Sequence, residues 1–192
     1  YLQKFINIET SLPKKVGEGQ DSDIGQYNKR LFRLHEIETW GDERGLLGSL
    51  EILAKHFSLT LRQLEKVYTN LAIYYASSAK NQVRLVSIIS FLAVVKVIEP
   101  DVSEELLHQR ITYEGLCQRT NLPAVDYNRR PGRDIETIGL WLKLCLISDR
   151  ELAQLRENGK LGSLVDSLWR QDIERENLIS MTIEKLNMFK VT

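Results

Sequence analysis

SLTLRQLEKVYTNL (residues 58–71) carries the marks of a helix start and, two positions later, an arginine. Thr60 suits the N-cap, and Gln63 three residues on completes the capping-box spacing, in which side chains and amides satisfy each other. Leu61, Leu64, Tyr68, Leu71 and Tyr75 then recur at i, i+3 and i+4, the period of a helix with one apolar stripe. Arg62 falls in the first turn, where a side chain ordinarily meets water and where Glu65 and Lys66 decorate the same face. Either it is a solvated surface group or it is aimed at an anion beyond its own helix.

The same period runs outward from this stretch. Before it, YNKRLFRLHEIE places Tyr27, Leu31, Leu34 and Ile37 on one stripe, and RGLLGSLEILAKHF (44–57) does so with Leu46, Leu47, Leu50, Leu53 and Phe57. After it, LVSIISFLAVVKVI (85–98) is apolar on every side except at Lys96. A bilayer-spanning helix needs about 20 apolar residues, so this shorter run predicts a buried core helix, over 82–98, with no membrane anchor. Pro100 is expected to stop it, with a restart at Ser103. Further helices are predicted over 103–110, 113–119, 133–147, 149–157 and roughly 163–188. The body therefore reads as all-α, a multi-helix bundle.

The front of the chain differs. KFINIE (4–9) alternates as a short strand does, closed by Pro13, and KKVGEGQDSDIGQ (14–26) has no periodic apolar face and reads as a loop. Tyr1 in place of methionine, with no charged-then-apolar leader behind it, points to a fragment whose front end is missing. The expected organisation is a strand over 1–13, a linker over 14–26, a helical domain over 27–125 and a C-terminal helical extension over 126–192.

Charge and motifs narrow the function classes. With 26 basic and 26 acidic residues the net charge is zero, so no overall field draws the chain to nucleic acid or anionic membrane. Two cysteines, Cys117 and Cys145, are too few for a disulfide framework; they sit among apolar neighbours and read as packed thiols in a reduced, cytoplasmic setting. His35, His56 and His108 lie on separate segments without ligand spacing, so no metal site is assigned. No phosphate loop and no nucleophile elbow occurs, and no catalytic residue is assigned within the chain. The loop DYNRRPGRD (126–134) gathers Arg129, Arg130 and Arg133 beside Tyr127, a contact point for an anionic partner, although a solvated loop explains it as well.

LRQLEKVYTNL resembles the lid-domain helix of AAA-type ATPases, in which an arginine near the helix start reaches the terminal phosphate of ATP. With the front of the chain included, the sequence resembles the KAP family of P-loop NTPases. Tyr1, Leu2, Lys4, Leu12 and Pro13 match a strand motif of that family, and Phe57, Leu59, Leu61, Arg62, Leu64 and Glu65 match its lid motif. Beyond about residue 125 nothing carries the resemblance. It implies a last core strand, a linker, a helical lid and an extension, with ATP and Mg2+ held by an upstream NTPase core and Arg62 sensing the γ-phosphate. It further implies ATP hydrolysis by the parent, a homo-oligomer, a protein effector and a setting in bacterial anti-phage defence. Two other readings stand beside it: a helical protein–protein interaction module without a nucleotide role, and a nucleic-acid-binding domain using the helix over 60–77 or the loop over 129–133, which the neutral charge disfavours.

Overall fold

The computed structural model describes residues 23–80, 82, 84–125, 134–157 and 175–188. Among them the chain is mainly α, a bundle of nine helices without a strand. These are α1 (Asp23–Leu34), α2 (Glu43–His56), α3 (Leu61–Ala76), α4 (Val86–Ile98), α5 (Pro100–Leu107), α6 (Tyr113–Thr120), α7 (Ile135–Leu146), α8 (Asp149–Glu157) and α9 (Arg175–Leu186). The strand expected over 1–13 lies outside the described residues, as do the cationic positions Arg129, Arg130 and Arg133.

The apolar run is the centre of the bundle. Every residue from Ile88 to Val95 is buried, because α2, α3, α5, α7 and α9 all pack on α4. A helix apolar on every side is stable only when surrounded, and each fully buried Leu, Ile, Val or Phe contributes about 1.5–3 kcal/mol relative to exposure. No helix among the described residues is long and apolar enough to cross a membrane. On α3, Leu64, Tyr68, Leu71 and Tyr75 face this core, with Tyr74 beside them. Tyr74 and Tyr75 meet edge to face, their ring centroids 5.5 Å apart.

Element boundaries and one stripe residue differ from expectation. α1 begins at Asp23, inside the stretch read as linker; Asp23 sits at the positive end of the helix and Gly25 is buried, so the glycine serves packing. α5 begins at Pro100, where a stop and a restart at Ser103 were expected. Proline at the first helical position forfeits only an amide that has no intrahelical partner, so it ends one helix and opens the next. The stripe drawn through Leu34 is also corrected. Leu34 is 72% exposed, whereas Tyr27, Leu31 and Ile37 of the same stripe pack in the core, and α1 also buries Gly25 and Asn28.

The core does not pause at residue 126. One cluster joins Leu31, Leu50, Leu64 and Leu92 to Leu142, Cys145, Ile179 and Leu186, so α7 and α9 pack with the helices that precede them. A small satellite of Leu140, Leu144, Ile147 and Leu152 seats α8 on α7.

Candidate functional site

Arg62 rides on a tightly built junction. α2 closes when the amides of Phe57 and Leu59 donate to the carbonyls of Leu53 and Ala54, at 2.9 and 3.0 Å. Ser58 between them takes the left-handed conformation (φ 50°), and Thr60 then caps α3. Its hydroxyl oxygen accepts from the Gln63 amide at 3.3 Å, while the Gln63 side-chain oxygen accepts from the Thr60 amide at 2.9 Å. Both halves of the capping box are therefore formed.

Arg62 leaves the first turn of this helix exposed, and that turn carries no acidic residue. No carboxylate among the described residues pairs with it. The nearest candidate by spacing, Glu65, accepts a hydrogen bond at 3.0 Å from the Tyr27 hydroxyl of α1. Burial, and after it the Glu65 carboxylate, raise the Tyr27 pKa, which keeps the phenol protonated and donating. A guanidinium thus stands at the positive end of a helix dipole with no counter-charge, an arrangement suited to an anion approaching from outside.

The other conspicuous cations are structural. The Arg84 side chain is 6% exposed; its Nε donates to Asp42 Oδ2 at 2.6 Å, its guanidinium lies 4.8 Å from the Trp40 ring centroid, and one terminal nitrogen donates to the Ala79 carbonyl at 3.0 Å. It pins the turn before α2 to the end of α3. Gly41 supplies the φ of +107° this turn requires. Arg175 caps the C-terminal end of α7 through the carbonyls of Leu144 and Ile147, at 3.1 and 2.6 Å, and pairs with Asp149. Lys96 donates to the carbonyl of Leu186, tying α4 to the last turn of α9. Sequence reasoning singled out none of the three, because each finds its partner dozens of residues away.

Other candidates resolve into packing. Cys145 is buried, and burial pushes its thiol up to about 12; Cys117 is half-buried, and both thiols are free. His35 stacks on Tyr68 with centroids 6.1 Å apart, and a His56 ring nitrogen lies 3.0 Å from the Thr120 carbonyl. No group of metal-ligating side chains gathers among the described residues. An open cleft of about 710 Å³ runs between α1 and α2, lined by Lys29, Gly41, Arg44, Leu47, Gly48 and Ile52 among others. Compared with protein-family models, curated proteins and solved structures, the chain matches none.

Proposed function

We propose that this chain is the C-terminal helical region of a KAP-like P-loop ATPase and that Arg62 senses the γ-phosphate of ATP held by an upstream core. The supporting observation is the placement of Arg62: exposed, in no ion pair with a described carboxylate, on a helix start held by its cap and by the closed end of α2. A guanidinium is always charged and fork-shaped, so it meets phosphate oxygens in pairs. ATP, with Mg2+ on the core, would then hold lid and core together, and hydrolysis would release that tether. The proposed hinge is the glycine-bearing part of the linker read over 14–26. α4 and the helices packed on it would move as a unit and pass the motion to a protein effector within a homo-oligomer. Anti-phage defence in the bacterial cytoplasm is the setting this reading carries.

The test is ATP turnover by the full-length protein. Arg62→Ala is expected to leave thermal stability within about 0.5 kcal/mol of wild type, as exposed substitutions do, and to lower turnover at least about tenfold, since arginines on transferring phosphates contribute far more than that. Turnover close to wild type would remove the sensor role. The second reading, a helical interaction module without nucleotide, draws on the α1–α2 cleft, where an added side chain at Gly48 would meet nothing within 4 Å. Full ATPase inactivity of the wild-type protein would favour it.

A further inference from the structure

We infer that Tyr27 is a positioning residue for Arg62: by fixing the Glu65 side chain in a rotamer that reaches α1, its hydroxyl keeps that carboxylate from pairing with the arginine one turn before it. The inference rests on reading Arg62 as a phosphate sensor and adds how its charge is kept available.

Arg62 and Glu65 stand at i and i+3 on the exposed side of α3, a spacing at which opposite charges pair when nothing competes. The pair does not form. Glu65 Oε1 accepts from the Tyr27 hydroxyl across the helix junction at 3.0 Å, and in that rotamer neither carboxylate oxygen forms an ion pair with Arg62. The competition is uneven by construction. Tyr27 is half-buried and packed against the core, so its hydroxyl is held in place. Arg62 is long and solvated and would give up rotamer freedom to draw the carboxylate away from it. Order along the helix also matters, because a cation preceding its carboxylate pairs less well than the reverse. One further cation belongs to the junction. Arg30 lies one turn beyond Tyr27 on α1 and its charge acts on the phenol, so it is the natural rival for Glu65 once the hydroxyl is gone.

Tyr27→Phe removes the hydroxyl and keeps the ring that packs. The first measurement needs no nucleotide: the Glu65 carboxyl carbon resonance is read by NMR at neutral pH in the 192-residue chain, with Arg62 present or replaced by alanine. With Tyr27 in place, Arg62→Ala is expected to leave that resonance nearly unmoved. In the Tyr27→Phe background the same replacement is expected to shift it, because the i,i+3 pair it breaks forms only there. Equal shifts in the two backgrounds would overturn the inference, whether Arg62 never reaches Glu65 or Arg30 claims it first.

The second measurement is ATP turnover by the full-length protein. Tyr27→Phe should lower it by roughly twofold, the same pairing expressed as an equilibrium, and Glu65→Gln added to it should restore it, since an amide does not neutralise a guanidinium. A turnover loss that Glu65→Gln fails to rescue would assign Tyr27 a packing role and overturn the inference. The two readings fail separately. If Arg62→Ala leaves turnover intact while the NMR coupling appears, the sensor role is lost and the selection of Glu65 by Tyr27 stands. If Arg62→Ala abolishes turnover while the coupling is absent, the sensor role stands alone.

Discussion

Thr60 and Arg62 are two positions apart and answer to different demands. Thr60 closes the capping box of α3, satisfying amides that would otherwise lack partners. Thr60→Ala is expected to cost about 1 kcal/mol, seen as a melting temperature lower by about 2–4 °C in a chain of this size. Circular dichroism against temperature measures it, and an unchanged midpoint would mean the cap contributes nothing. Arg62 touches no described carboxylate, so its removal should be nearly silent in the same measurement. The cap was legible from spacing alone because its partners are three residues apart. Arg62's exposure was the ordinary expectation for a first turn, but the capture of Glu65 by Tyr27 was not, since Tyr27 lies on another helix.

At the scale of the helix, two glycines at equivalent depth in their elements should behave oppositely. A Cβ built at Gly48, within α2, meets nothing within 4 Å, whereas one at Gly139, within α7, comes 3.2 Å from the Tyr113 hydroxyl. Gly48→Ala should therefore stabilise by about 0.5–1 kcal/mol through helix propensity, and Gly139→Ala should be net destabilising, because overpacking of about 1–3 kcal/mol outweighs the same propensity gain. Urea unfolding of the two variants decides, and equal signs would refute the packing at one of the sites. Periodicity located α2 and α3, whose core-facing positions are largely apolar at helical spacing, and an unbroken apolar run located α4. The stripe through Tyr27, Leu31 and Ile37 packs in the core and only Leu34 departs from it; the glycine and amide that α1 also buries, Gly25 and Asn28, are residues no hydropathy pattern selects. Pro100 was read as punctuation because proline ends helices and begins them alike, and only the shape of the chain tells which.

Across the whole molecule, long-range ties made of single side chains join what the sequence leaves apart. Arg84 reaches Asp42, Arg175 reaches the end of α7, and Lys96 reaches the last turn of α9. A solitary cation carries no local signature of such a partner, which is why these positions could not be read in advance while the all-α class could. The same core encloses the rings of Tyr68, Tyr74 and Tyr75, each 3% exposed or less. Burial is the leading cause that raises the pKa of all three phenols above the ordinary value of 10. Folded chains therefore hold these protons after unfolded ones release them. Proton linkage makes the sign definite: the stabilisation is intact below pH 10 and is lost as pH climbs beyond it, each phenol contributing about 1.4 kcal/mol per pH unit until its own folded pKa is reached. Cys145, raised from 9 toward about 12, begins the decline earlier, while Lys185, whose pKa burial lowers, opposes it until its unfolded form is also neutral. The bundle should thus collapse abruptly in alkali, with tyrosinate absorbance at 295 nm and loss of helical ellipticity rising together. Phenolate from all seven tyrosines appearing near pH 10 in a chain that keeps its ellipticity would mean water already reaches those rings.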